Sequence, residues 1–198
     1  MRKSKYDHQL VNLLQLPIFK AAEAKIYGIP SRMLSYFCQI GKIERVGRGV
    51  YRVVEAESGI GIDFEELVLT ASSISHGVIC LISALYYYDL TDQIMREYWI
   101  AVPNKDRCPK RPHTRIVRMR NMDLGLTEVT IGKYRVKIFD RERTVVDSFR
   151  YLSHEIAIKA LQRYLAKSQG NKPDLVKLSK YAKILKVQIR PYILALTT

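Results

Sequence analysis

Over the first forty residues the apolar side chains recur every three or four positions, the period of an amphipathic helix. Val11 and Leu14, with Leu10 and Leu13, mark a first helix over residues 6–15 that Pro17 closes. A second is predicted from Ile18 to Tyr27, with Phe19, Ala22 and Ile26 inward and Gly28 placed to end it. A third runs from Ser31 to about Gly41. Three short helices with a tight glycine-containing turn before the last have the outline of a helix-turn-helix. The pattern then switches to short β-prone runs, Ile43 to Val53, about Gly47-Arg48-Gly49, where glycines permit a tight hairpin. A wing belongs at that point.

Residues 55–62 (EAESGIGI) read as a linker. Beyond it, Asp63 to Ser73, with Asp63 as N-cap, and Val78 to Tyr88 read as helices. Glu97–Val102, Arg115–Arg120, Glu128–Ile131 and Tyr134–Phe139 read as strands, the last two joined by Gly132-Lys133. Arg141–Tyr151, Glu155–Lys167 and Pro173–Leu185 read as closing helices. The predicted fold is α+β: a winged helix-turn-helix over residues 1–54, then a larger α+β domain over 63–198.

Charge sharpens this division. The 198 residues carry +14, which points to a polyanionic partner. Residues 1–55 hold ten basic and four acidic side chains; 56–101 hold one basic and seven acidic; 102–198 hold twenty-two basic and eight acidic. Two basic regions thus flank an acidic middle. Apolar residues make up 47% and charged ones 26%, which argues against disorder. No apolar run reaches the ~18 residues of a spanning helix, and the start MRKSKYDHQ lacks a following hydrophobic stretch, so a cytoplasmic protein is expected. Cys38, Cys80 and Cys108 are too far apart for a zinc pattern and read as reduced thiols.

Wound at 100° per residue, the third helix places Met33, Leu34, Phe37, Cys38, Ile40 and Gly41 on one side, and Ser31, Arg32, Ser35, Tyr36 and Gln39 on the other. The second face offers a guanidinium suited to guanine, an amide suited to adenine and hydroxyls for bases or phosphates. Arg48 at the hairpin tip, with Arg45 and Arg52, is placed to reach phosphate or the minor groove. Double-stranded DNA is the expected partner. A basic second domain leaves RNA binding or nucleic-acid processing open as an alternative, and the pattern specifies no oligomeric state.

Between Asn104 and Arg120, Lys105, Arg107, Lys110, Arg111, Arg115, Arg118 and Arg120 stand against Asp106 alone. This segment is either a solvated basic loop or a surface for phosphate or an acidic partner. The Tyr86-Tyr87-Tyr88 run ends an apolar helix and reads as core rather than as a stacking platform. Leu161, Tyr164, Leu165, Leu175, Leu178 and Tyr181 at helical spacing, among lysines from Lys159 to Lys186, indicate helices with a basic outer face.

Catalytic patterns are weak. His8, His76, His113 and His154 share no close spacing, and Ser83 lacks the Gly-x-Ser-x-Gly setting of a nucleophile elbow. Asp140, Glu142 and Asp147 cluster, but Arg143 and Asp147 are i,i+4 neighbours suited to an ion pair, and Thr144 and Asp147 to clamping hydrogen bonds. A nuclease needs carboxylates converging with a lysine, and the strand lysines Lys133 and Lys137 have only Glu128 nearby. No enzyme, cofactor or metal is expected.

Several of these residues also carry a family resemblance. Phe19, Ala24, Gly28-Ile29, Leu34, Gly41-Lys-Ile43-Glu-Arg and Gly47-Arg48-Gly49-Val-Tyr51 resemble the AbiEi-type antitoxin regulators of abortive-infection, type IV toxin-antitoxin systems. Ser83-Ala84-Leu85, Asp89-Leu90-Thr91, Tyr98-Trp99-Ile100-Ala101-Val102-Pro103 and Asp140-Arg-Glu-Arg143-Thr144-Val-Val-Asp147 are similar to the family's C-terminal segments. The resemblance implies a winged-helix domain that represses its own promoter, and a second domain that neutralises a nucleotidyltransferase-like toxin.

Overall fold

The computed structural model describes residues 6, 9, 11, 13, 16, 18–54, 61–108, 110–166 and 172–197, with the side chains of Ile62 and Asp63 left aside. The chain is α+β and divides into two compact units. The first comprises residues 1–75 with 130–136, and the second comprises 76–129 with 137–198.

In the first unit, strand β1 (Ile18–Lys20) leads into α1 (Ala21–Ile26) and α2 (Ser31–Gln39), followed by β2 (Ile43–Gly47), β3 (Val50–Val53) and α3 (Ile62–Ser73). Of the helix predicted over 6–15, Gln9, Val11 and Leu13 are helical, while Leu10, Leu14 and Pro17 lie outside the described residues. The predicted linker, apart from Gly61 and the backbone of Ile62, lies outside them too.

The second predicted helix is shorter than its pattern suggests. Ile18–Lys20 forms a strand antiparallel to β3, because Phe19 pairs with Tyr51 across the sheet and their rings stack 5.7 Å apart. The Lys20 N–H donates to the Glu23 carboxylate at 2.6 Å and opens α1 at Ala21. Starting there turns Ala24, not Ala22 or Ile26, inward: Ala24 is fully buried and Ile26 is 83% exposed.

Gly28 then closes α1 with φ +78°, its N–H bonding to Lys25 O at 3.0 Å and that of Ile29 to Ala24 O at 2.9 Å. This paired closure requires a left-handed residue, which glycine adopts without a Cβ penalty. The same bonds end α2, from Gly41 to Cys38 O and from Lys42 to Phe37 O. The strand order is β1-β3-β2, and Leu13, Phe19, Ala24, Ile29, Leu34 and Phe37 lie in one buried cluster.

The first unit is larger than the segment 1–54. Helix α3 buries Leu67, Val68 and Ala71 and belongs to this unit, as does the hairpin tip at 130–136. Gly61 takes the N-cap position of α3 in place of Asp63.

The second unit holds β4 (Val78–Ile79), α4 (Leu81–Tyr87), β5 (Tyr98–Pro103), β6 (Thr114–Met119), β7 (Leu126–Ile131), β8 (Tyr134–Phe139), α5 (Arg141–Tyr151), α6 (His154–Leu165), α7 (Leu175–Leu185) and α8 (Arg190–Thr197), except for the 130–136 tip. The sheet order is β6-β5-β4-β8-β7, with β4 antiparallel to β5 and parallel to β8, and β5 parallel to β6 over six residue pairs. Val78 and Ile79, predicted to start a helix, form the central strand: both are buried, and Cys80 N–H bonds to Trp99 O at 3.0 Å. Helix α8 has no counterpart in the sequence reading.

Arg143 is the largest fully buried side chain. Its Nε donates to Asp147 Oδ2 at 2.6 Å and its Nη1 to the carbonyls of Asn121 (3.0 Å) and Leu124 (2.9 Å). Asp140 caps α5 by accepting the Arg143 N–H at 2.8 Å. Gly125 lies against this pair with φ +69°; a Cβ there would stand 2.6 Å from Arg143 Cβ and 3.0 Å from Asp140 Oδ1. Gly125→Ala is therefore expected to lower stability by roughly 2 kcal/mol or more, read as a shift in the urea midpoint. An unchanged midpoint would show that the Arg143 site yields more easily than its burial implies.

Candidate nucleic-acid interface

Helix α2 presents the face that its pattern predicts. Leu34 and Phe37 are buried, and Met33, Cys38 and Ile40 are half-buried, so the helix is fixed on that side. Ser31, Arg32, Ser35, Tyr36 and Gln39 are exposed on the other. Nine residues span ~13 Å at 1.5 Å each, a fit to a major groove ~12 Å wide. The hairpin of β2 and β3 follows four residues after α2 and carries Arg48 exposed at its turn. A register shift between Arg45 and Gly47 bends β2 just before the tip, and Arg45 Nε donates to Gly47 O at 3.2 Å, bracing it.

Arg52 is placed differently from Arg45 and Arg48. Its Nη2 lies 2.5 Å from Glu44 Oε2 and its Nη1 3.5 Å from Glu65 Oε1. The hydrogen bond with Glu44 raises its pKa above the ordinary arginine range and commits the charge inside the unit. Tyr134 OH also donates to Glu65, at 3.3 Å. Arg52 thus joins the hairpin to α3, a role invisible from the hairpin sequence because Glu65 follows thirteen positions later.

The basic segment in the second unit connects the parallel strands β5 and β6. Lys105, Arg107 and Lys110 are exposed and Arg111 is half-buried. The Asp106 carboxylate sits 2.8 Å from His76 Nδ1, and Arg118 donates to the carbonyls of Asp106 and Asn104, so the start of the connection is folded back on the unit.

The carboxylates weighed for catalysis are engaged within the fold. Asp147 pairs with Arg143 and with Arg150 at 2.7 Å, as the i,i+4 reading anticipates, and Thr144 Oγ1 donates to Phe139 O at 3.2 Å. The sequence reading missed Lys177, whose Nζ lies 3.0 Å from both Asp140 Oδ2 and Glu142 Oε2. Burial works against the Lys177 charge, but the hydrogen bonds to Glu142 and Asp140 outweigh it and raise the pKa. Tyr164 OH donates to Glu142 at 2.8 Å and accepts from Asp174 N–H, while Tyr181 OH donates to Asp140 at 3.1 Å. Among the described residues no three His, Cys, Asp or Glu side chains converge as a metal site. Among the described residues Cys38, Cys80 and Cys108 form no disulfide, and burial raises the pKa values of Cys38 and Cys80. Among the described residues no helix is long and apolar enough to cross a membrane.

The N-terminal part combines a helix-turn-helix-like pair, α1 and α2, with a basic hairpin. Residues 8–54 match the family model described as "Transcriptional regulator, AbiEi antitoxin". No curated protein gives a match. Among solved structures, the RV2827C protein from Mycobacterium tuberculosis is similar in fold, with TM-score 0.54 and 12% identity over 92% of this chain and 72% of that one.

Burial, followed by the Asp140 charge, raises the Tyr88 pKa; burial, followed by the Glu142 hydrogen bond, raises that of Tyr164. The unfolded chain loses these protons near pH ~10 and the folded chain only above that. Stability is therefore complete below that pH and falls as pH rises past it. The last part of the phenolate absorbance, that of Tyr88 and Tyr164, is expected to appear only together with loss of the far-ultraviolet helical signal; full tyrosine ionisation near pH ~10 in an intact fold would contradict this.

Proposed function

We propose that this chain is a sequence-specific DNA-binding autorepressor and the antitoxin of a type IV toxin-antitoxin pair. The observation that carries the DNA reading is the exposed polar face of α2 beside the Arg48-tipped hairpin, together with the regulator family match at residues 8–54. In this reading α2 enters the major groove, where Arg32 and Gln39 read guanine and adenine edges and Ser31, Ser35 and Tyr36 supply base or phosphate hydrogen bonds. The hairpin acts as a wing, with Arg48 on the backbone and Arg45 supporting it. Lys105, Arg107, Lys110 and Arg111 add phosphate or partner contacts from the second unit. The second unit neutralises a nucleotidyltransferase-like toxin.

The test is binding to the duplex upstream of the chain's own coding region, titrated against salt, an unrelated duplex and a structured RNA. Specific binding is expected to exceed the unrelated duplex by ~10³ or more. Equal weak binding to both duplexes with preference for the RNA would overturn the DNA reading in favour of RNA binding.

Arg32→Ala or Gln39→Ala is expected to cost about 1–3 kcal/mol at the cognate site and to relax base choice there. Arg48→Ala should weaken all duplexes alike and lower the salt slope by about one charge. A change in base preference alone would remove the wing assignment. In the full chain, the combined Arg32→Ala, Gln39→Ala and Arg48→Ala variant should abolish repression yet still protect cells expressing the toxin. Loss of protection by a folded variant would contradict the division of labour between the units.

A further inference from the structure

The second unit contains a groove of about 760 Å³ that none of the proposed roles uses. Ile82, Trp99, Tyr151, Leu152 and Ile156 line it together with Ile94. Ile94 is 78% exposed and Tyr151 38%, so a large aliphatic side chain stands in solvent beside a depression that apolar and polar side chains line together. The depression is well supported: Trp99 N–H donates to Ser83 Oγ at 2.9 Å, and the Arg115 guanidinium covers the Trp99 ring at 4.5 Å while lying 3.7 Å from Glu97. Exposed apolar side chains next to such a groove mark an interaction surface.

Charge identifies the occupant. Asp92 and Arg96 also line the groove, two residues on either side of Ile94. Asp92 is approached by Arg163 at 4.0 Å and lies in the field of Lys159, and Arg96 has no ion-pair partner among the described residues. If two copies met about a two-fold axis near Ile94, Asp92 of one would face Arg96 of the other, and the reverse, as an isologous interface requires. Elsewhere a chain of net charge +14 repels a second copy, but residues 56–101 are acidic and the groove draws Asp92, Arg96 and Glu97 from them. A duplex would be repelled by these carboxylates, and a uniformly basic protein would leave Arg96 facing a like charge.

We propose that this groove is a homodimer interface, in which each copy's Ile94 fills the groove of the other and Asp92 pairs with Arg96 across the two-fold axis.

Sedimentation equilibrium of the full chain without DNA, over a micromolar concentration series, tests this apart from the DNA reading. The mass is expected to rise from 22.9 kDa toward twice that value. Ile94→Asp should weaken association by about tenfold or more, with an unchanged circular dichroism spectrum because Ile94 is exposed. Asp92→Arg and Arg96→Asp should each weaken it, and the double variant, which restores opposite charges across the axis, should recover it. A chain that stays monomeric throughout the series, a dimer indifferent to Ile94→Asp, or a double variant no better than either single one would overturn the proposal. DNA binding by a monomer would leave the autorepressor reading standing, and a dimer without DNA preference would leave this one standing.

Discussion

The second unit is organised around one charge that water cannot reach. A guanidinium buried as deeply as that of Arg143 costs several kcal/mol unless its charge and its donors are all answered. Asp147 answers the charge one helical turn later, and the carbonyls of Asn121 and Leu124 take the Nη1 donors. The guanidinium also lies 4.6 Å from the Phe139 ring centre, at the end of β8. These partners come from the turn after β6, from β8 and from α5, so the sheet and the helix are correct together or not at all. Gly125 has no side chain because this charge and its cap occupy the space. Lys177, Tyr164 and Tyr181 extend the same logic outward, tying α6 and α7 to the carboxylates at the start of α5.

The first unit is built on different terms. Its core is small and apolar, and helices α1 and α2 end by backbone closures at Gly28 and Gly41 rather than by side-chain networks. That economy leaves the polar face of α2 exposed: among the described residues Arg32 and Gln39 make no side-chain hydrogen bond or ion pair to give up before meeting a ligand. Arg52 is the contrast, since two carboxylates hold it and its charge is spent on joining β3 to α3. Two arginines a few residues apart, Arg48 and Arg52, thus differ in availability although the sequence presents them alike.

Long periodic segments were legible from the chain alone. Strand β8 and helix α5 have the predicted limits, and α2 shows the predicted division into packed and free faces. What failed were the short apolar runs. Ile18-Phe19-Lys20 and Val78-Ile79-Cys80 are too brief for periodicity to separate helix from strand, and the partners of Phe19 and Cys80, Tyr51 and Trp99, lie nineteen or more residues away. The extent of the first unit is likewise not set by local pattern. Pattern ends the hairpin at Val53, whereas the unit continues through α3 and takes up 130–136, which no local signal connects to it. Lys177 escaped notice because a lysine thirty-seven positions from Asp140 reads as one more cation on a basic helix face. Sequence spacing therefore exposed the candidate reading face well, but not which charges are already neutralised.

Electrostatics separates the two surfaces on which the proposals rest. DNA approach rewards positive charge that carries no counter-charge, and among the described residues Arg48 has no ion-pair partner while Arg52 has two. Self-association of a basic chain demands the opposite, a surface where positive charge is cancelled and opposite signs are ordered for a two-fold axis. Residues 92–97 meet that condition: Asp92 and Glu97 flank Arg96, with Ile94 between the two charges that would exchange partners. The three carboxylates of the acidic interval 56–101 that belong to the second unit, Asp89, Asp92 and Glu97, disfavour a polyanion around this segment, so a protein contact there does not compete with nucleic acid.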